Sequence, residues 1–578
     1  MIRLLRYAKN YRKHIILGPV FKFLEAVFEL LLPLLMASLV DDGISKGDFQ
    51  KVKTMTIAMI ILSIVGLLCA VVCQYFASIA SQGFGTELRN QLMKKINQLS
   101  HEELDLFGTD TLITRMTNDI NQLQTALAML IRLVVRAPFL SVGAVFMAFY
   151  IDWQIGLVFL LVLPIFCLIL FFIIQKSVPM YQKVQEHLDR VNELVTQNLS
   201  GVRVIRAFAR RKTEQERFNN ATDKLSKIYL KVTNLSALLT PATTLLMNLG
   251  IIAIFYLGGF KVDAGRLQQG QVLALVNYMN QMLLALIVVS NLVVIFTRAQ
   301  ASGIRVNEIF DVIPKVQDKK ETKNEIEEID GSVRFDHVDF RFSDKFGLAL
   351  EDIDFQIDGE KTVGIIGPTG SGKTAITQLI PRFYEASAGR VFFSGVNVSQ
   401  WPLNKLREQI AMVPQTAVLF TGTIRENLQW GKKDATDQEC WEALTIAQSK
   451  YFVQALPKGL DTPIFEGGKN FSGGQKQRLT IARALIAKPK LLILDDSLSA
   501  LDYQTDLKLR QALKKLPQTV IIISQRVRSI QDADQILVMD SGHLIGNGNH
   551  QSLMKTCQAY QEIVYSQAEN KQGEDGHE

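Results

Sequence analysis

The sequence predicts two parts of unlike class: an α-helical membrane domain of six spans with long cytoplasmic extensions, then an α/β domain of P-loop type. Three observations carry this. Residues 15–300 hold several apolar blocks long enough to cross a bilayer. Residues 362–376, TVGIIGPTGSGKTAI, set an apolar strand before a glycine-rich turn and a helix after it. Between these regions runs a polar stretch, PKVQDKKETKNEIEEIDGS, with the composition of a linker. The overall hydrophobic share of 48% therefore averages two dissimilar regions, and 578 residues are too many for one core.

A helix needs about 20 mostly apolar residues to span the hydrocarbon. Segments 15–40, 55–80, 133–151, 155–174, 235–260 and 272–297 meet that length, and the second, fourth, fifth and sixth hold no charged residue. Six is even, so both chain ends fall on one side. Arg3, Arg6, Lys9, Arg12 and Lys13 precede the first block and place that side in the cytoplasm. The inward segments 82–125 and 175–234 are long and polar, with Arg203, Arg206, Arg210, Arg211 and Lys212 bunched in the second. Outward connections 41–54, 152–154 and 261–271 are short. Helical periodicity continues past the second and fourth spans, giving helices that project into the cytosol and are suited to coupling the two domains. The expected boundaries are 1–312 for the membrane domain, 313–331 for the linker, 332–566 for the nucleotide-binding domain and 567–578 for a disordered tail. A multi-pass protein of a bacterial cell membrane, with membrane lipids around it, is the expectation.

Composition excludes some classes. The formal charge of +7 is clustered, so no nucleic-acid partner is expected. Cys69, Cys73, Cys167, Cys440 and Cys557 show no metal-type pairing and read as reduced structural thiols. The first apolar block runs far beyond a signal-peptide core, so no cleavable signal is expected.

Lys22, Glu25 and Glu29 interrupt the first span. At about 1.5 Å per residue, Glu29 lies roughly 24 Å along the helix from Lys13, too deep to reach the cytoplasmic surface easily. Buried carboxylates need pairing or hydration. One reading is a cavity wall that attracts cationic or polar substrates. The other is an intramembrane ion pair with Lys22, or with Arg132 or Arg136 of the third span.

Within the glycine-rich turn, Gly367, Gly372, Lys373 and Thr374 fill the G-x-x-x-x-G-K-[ST] spacing, with Pro368, Thr369, Gly370 and Ser371 between. Glycine lets backbone N–H groups approach phosphate closely, and the helix start adds partial positive charge. Lys373 reaches the β- and γ-phosphates of ATP in this arrangement, and the Thr374 hydroxyl ligates Mg2+. Asp495 ends a second buried strand, LLILD, and suits the carboxylate on the Mg2+ side. Gln415, in MVPQ, offers a carbonyl to the metal or the attacking water.

Residues 470–484, NFSGGQKQRLTIARA, resemble the signature of ATP-binding-cassette (ABC) proteins. LIPRFYEASAGRV, MVPQTAVLF, TGTIRENL and SLSALD also fit, as do LITRMTND and SGVRVIRAFAR in the inward segments. Over nearly its full length the chain resembles a half-transporter of the ABC exporter family. The resemblance implies a head-to-tail pair of cassettes, each ATP lying between one chain's P-loop and the other's signature. Ser472, Gly473, Gly474 and Gln475 would then grip the γ-phosphate of the partner's ATP, aided by Asp502. Phe342, in DFRF, stands where the family has an aromatic that stacks on adenine; a core phenylalanine on a strand is the other reading.

Two positions depart from the family's pattern. The residue after the Mg2+ aspartate should be a glutamate that polarises water, and here it is Asp496. The switch residue after the strand TVIII should be histidine, and here it is Gln525. A general base contributes roughly 10²–10⁴-fold, and a displacement near 1 Å forfeits much of that. Both changes strike hydrolysis while the binding residues stay. The chain thus resembles the degenerate-site subunit of a heterodimeric multidrug-type exporter, moving amphipathic small molecules (drugs, lipids or peptides). A homodimer with slow hydrolysis, or a non-transporting ATP-binding regulator, is the alternative. The spans exclude a soluble ABC protein, and fusion of membrane and cassette domains in this order disfavours an importer.

Overall fold

The computed structural model describes residues 2–318, 328–343 and 347–574. The chain divides into two units, one of Met1–Ile96 and Asp110–Val312, the other of Asn97–Thr109 and Ile313–Glu578. Residues 319–327 of the expected linker lie outside the described part.

In the first unit, six helical runs hold the six apolar segments: Arg3–Ile44, Phe49–Ile96, Thr109–Ile151, Trp153–Ser200, Arg211–Asp263 and Gln269–Asp311. Phe49–Ile96 and Trp153–Ser200 are each 48 residues, so each runs about 70 Å, more than twice the ~30 Å hydrocarbon thickness. The expected projections are therefore continuous with their spans. Asp152 starts the Trp153–Ser200 helix by accepting from the amides of Gln154 (2.9 Å) and Ile155 (3.0 Å). Gly201 ends it, and a short helix, Val202–Ala207, follows. Where helices meet, small residues let backbones approach: Ala26, Ala137, Ala144 and Ala148 are buried, and a Cβ on Gly143 would lie 2.4 Å from the Leu30 Cδ1 atom.

The second unit is built on two sheets. Its strands, in chain order, are β1 (Val333–Phe340), β2 (Leu350–Ile357), β3 (Thr362–Ile366), β4 (Ala388–Phe393), β5 (Val396–Asn397) and β6 (Ile410–Val413). Then come β7 (Gly422–Thr423), β8 (Pro463–Ile464), β9 (Leu491–Asp495), β10 (Thr519–Ile523), β11 (Gln535–Asp540) and β12 (His543–Gly548). An antiparallel sheet runs β2-β1-β4-β5, and the main sheet runs β12-β11-β3-β10-β9-β6, parallel except for β12. Successive residues of β9 serve opposite faces: Leu492 and Leu494 join one apolar core, Leu491 and Ile493 the other. A parallel sheet covered on both faces explains why residues 491–494, LLIL, read as continuously apolar.

Two segments depart from what the sequence suggests, one where the helix was expected to continue and one where a disordered tail was expected. Residues 97–100 break the helix that leaves the second span, and the next helix, His101–Phe107, belongs to the second unit. At the far end, a helix runs Gln558–Glu574, past the residue where a tail was expected to begin; residues 575–578 lie outside the described part.

Candidate nucleotide site

Ligand sites on open parallel sheets form beyond the carboxyl ends of the strands. Here β10 lies between β3 and β9, with Ile523 in register with both Ile365 and Asp495. The loop after β3, the carboxylates after β9 and Gln525 after β10 therefore open onto one edge.

The loop after β3 needs its glycines for separate reasons. Gly370 (φ +85°) and Gly372 (φ +96°) take left-handed conformations that favour glycine. A Cβ on Gly372 would also lie 2.7 Å from the Leu350 side chain and 2.8 Å from the Ala349 carbonyl. Lys373, 8% exposed, folds its ammonium back into the loop. It donates to the carbonyls of Gly367 (2.9 Å) and Pro368 (2.6 Å) and to Ser371 Oγ (3.3 Å). Burial lowers its pKa, while Asp496 and Asp495 push the other way.

Asp495 is buried and accepts from the Thr374 hydroxyl at 3.2 Å. Burial raises its pKa, and the charge of Asp496 adds to the rise. Asp496 adopts φ +44°, its N–H donates to the Ile523 carbonyl (3.1 Å), and its carboxylate accepts from Gln415 Nε2 (3.3 Å). Burial raises its pKa as well, opposed by Lys373, Arg526 and the Gln415 hydrogen bond. Lys373, Thr374, Gln415, Asp495 and Asp496 thus form one cluster. A Thr hydroxyl beside a buried carboxylate is a hard-oxygen set that fits Mg2+. The glycine cradle with its buried lysine fits phosphate.

Phe342 lies beyond the end of β1 and is 40% exposed, whereas Phe340, two residues earlier, is 1% exposed and fills the core. Tyr384 packs edge-on to Phe342 at 5.4 Å. Tyr384 also donates to Asp105 at 2.5 Å, and His101 stacks on Phe383 at 4.3 Å. The helix His101–Phe107 is therefore seated beside the aromatic expected at adenine. Tyr384, His101 and Asp105 carry no local signal in the sequence, because only the fold brings residues near 100 to residues near 384.

Ser472, Gly473, Gly474 and Gln475 make a second cluster. Ser472 caps the helix Gly473–Ile486: its N–H donates to Gln475 Oε1 (2.9 Å) and its Oγ accepts from the Gln475 amide (3.4 Å). A Cβ on Gly474 would lie 3.1 Å from the Ala500 carbonyl, so the signature abuts the turn leading to Asp502. Asp502 caps the next helix by accepting from the Thr505 amide (3.0 Å). A Cβ on Gly473 would meet open space.

In the membrane unit, Lys22 pairs with Glu25 (2.7 Å) and Arg136 with Glu29 (2.8 Å), while Arg132 donates to Ser78 Oγ (3.1 Å). Of the two readings, the geometry supplies the ion pairs. Glu29 and Arg136, with Gln281, Leu133 and Leu284, also line a cavity of about 160 Å³.

The chain is similar to known proteins along its length. Residues 15–286 match the ABC transporter transmembrane region, and residues 350–499 match the ABC transporter model. An uncharacterized ABC transporter ATP-binding protein, YfiB, of Bacillus subtilis is 36% identical over 98% of both chains. An ATP-dependent lipid A-core flippase of Chromobacterium violaceum is 31% identical over 96% of this chain and 94% of that one. A fatty acid ABC transporter ATP-binding/permease protein of Mycobacterium tuberculosis is 33% identical over 82% and 75%. A solved bacterial Atm1-family ABC exporter with ATP bound has the same fold, with a TM-score of 0.82 at 23% identity over 96% and 99%.

Proposed function

This chain belongs to the ABC transporters, with membrane region and ATP-binding domain fused as in their exporters, and we propose that it is the hydrolytically weak half of a heterodimeric exporter. Two halves bind ATP between them, and the membrane helices alternate between inward-open and outward-open forms. Both termini lie in the cytoplasm. The cargo is amphipathic; relatives named for lipid A-core and fatty acid support a lipid-like class.

One observation carries this reading. Binding residues are assembled while the residue in the hydrolytic position is an aspartate, one methylene shorter than the family's glutamate and engaged by Gln415. In the bound state Lys373 and the loop amides hold the phosphates, and Phe342 stacks on adenine. Thr374, Gln415 and Asp495 would hold Mg2+, which would supply neutralisation of phosphate charge. Asp496, a methylene shorter than glutamate, holds the proton-accepting position from too far back. Gln525 donates a hydrogen bond to phosphate but cannot take on positive charge as the leaving group develops. Ser472, the Gly473 and Gly474 amides, Gln475 and Asp502 complete the partner's site instead.

A homodimer with slow hydrolysis is the second reading, favoured by one fact. Aspartate tolerates φ > 0 better than glutamate does, so Asp496 also suits its own turn at +44°. Self-assembly and dependence on Asp496 separate the two, whereas the signature is needed under either. In the purified heterodimer, Gly474→Asp should lower ATPase roughly 10²-fold by placing a carboxylate at the partner's γ-phosphate. If the chain instead pairs with itself, turns over briskly and stops on Asp496→Asn, the heterodimer reading is wrong.

A further inference from the structure

The C-terminal helix reaches the nucleotide site through one side chain. Tyr560, Ile563 and Val564 pack on the core that also holds Val527 and Ile530. Gln567 follows Tyr560 by seven residues and so lies on the same helical face. Its amide donates from Nε2 to the Gln525 carbonyl (2.7 Å) and accepts at Oε1 from the Val527 N–H (2.9 Å). An amide suits this double role because one group both donates and accepts.

Other hydrogen bonds hold the loop just before and between these two backbone groups. The Ser524 N–H donates to the Ile365 carbonyl (3.1 Å), and the Arg526 N–H donates to Ser524 Oγ (2.9 Å). The sheet therefore fixes the chain as far as Ser524, and Gln567 fixes the two peptides that carry Gln525 onward. We propose that Gln567 is a positioning residue for the nucleotide site, setting through the Gln525 and Val527 backbone how the Gln525 amide meets the γ-phosphate of ATP. The inference rests on ATP occupying the P-loop, as proposed above, but not on weak hydrolysis, because it concerns binding.

A bland role, capping the short turn Val527–Ser529, predicts a different result. A cap stabilises the domain and affects every nucleotide alike, whereas a γ-phosphate contact distinguishes ATP from ADP. The full-length chain in lipid nanodiscs, with its partner where one is required, is photolabelled on ice with azido-ATP and azido-ADP in Mg2+. Labelling is read on this chain's own band. Gln567→Ala should weaken apparent affinity for the ATP analogue about fivefold, the worth of about one neutral hydrogen bond, and leave the ADP analogue unchanged. Gln567→Glu keeps the acceptor for Val527 but loses the donor to Gln525, and should show the same selective loss. Equal losses with both analogues, or no loss with either, overturn the proposal. Failure of the native chain to take the ATP label overturns the nucleotide-site reading itself.

Discussion

Lys22 with Glu25 and Arg136 with Glu29 are matched charges in the membrane unit, one carboxylate to one cation. The nucleotide cluster is arranged differently. Lys373 spends its donors on two carbonyls and a hydroxyl, and the neighbouring Asp495 and Asp496 are both pushed above the usual carboxylate range by burial. Burial penalises all of these charges, but Glu25 and Glu29 each have a cation in direct contact. Asp495 and Asp496 are instead offset by the more distant charges of Lys373 and Arg526 and by hydrogen bonds from Thr374 and Gln415. Such a cluster gains further when a ligand brings opposite charge; under the proposed function this is anionic phosphate for the lysine and a divalent cation for the carboxylates. The difference teaches that a carboxylate with a cation in contact is settled, whereas neighbouring buried carboxylates without one keep room for an added cation.

Removing the lysine tests this hardest. Lys373→Ala deletes charge-assisted hydrogen bonds to phosphate, worth about 1.5–3 kcal/mol each. ATP labelling of this chain should fall roughly 10²-fold or more, while thermal unfolding of the nucleotide-free protein moves little. If labelling survives, the cluster is not a phosphate site.

The membrane pair should respond in the opposite sense. Glu29→Gln leaves Arg136 without its carboxylate. A fully buried pair so broken costs about 3–5 kcal/mol; exposures of 29% and 30% reduce the expectation to about 2 kcal/mol. Glu29→Gln with Arg136→Gln together should recover most of that stability, read as the thermal midpoint in detergent. A cargo-binding role for Glu29 predicts otherwise: transport of cationic compounds relative to neutral ones should stay depressed in the double variant even where stability returns.

A gain of function sharpens the contrast within the nucleotide cluster. Asp496→Glu with Gln525→His should raise turnover at this chain's own site about tenfold or more, measured with the partner's hydrolytic carboxylate neutralised. No gain would mean that something other than carboxylate length and the switch residue limits the site.

Much of this was legible in the sequence where the signal is local. Apolar run length marked the spans, and the strand, glycines and Lys373–Thr374 of the P-loop are consecutive residues. What escaped depends on which faces meet. Arg132 and Arg136 are four apart on one helical run, and only packing sends the first to Ser78 and the second to Glu29. The seat of His101–Phe107 against Phe383 and Tyr384 is equally long-range. Gln567 stood in a polar stretch read as a tail, although Tyr560, Ile563 and Val564 before it already carry helical spacing.

The smallest expected effect bears most directly on mechanism. Asp496→Asn keeps the shape of the side chain, its left-handed turn and a partner for Gln415, and removes only a charge. If the native carboxylate serves binding geometry and little chemistry, ATPase of the assembled transporter should change less than about twofold. The corresponding change, glutamate to glutamine, in the proposed partner should cost about 10²-fold or more. Residual turnover that does depend on Asp496 has a recognisable pH signature. Burial raises its pKa, so that turnover disappears on acidification at a higher pH than an ordinary carboxylate would set, and Asp496→Asn erases the dependence. Equal losses from the two substitutions would make Asp496 a working base and place this cluster on the same footing as its partner's.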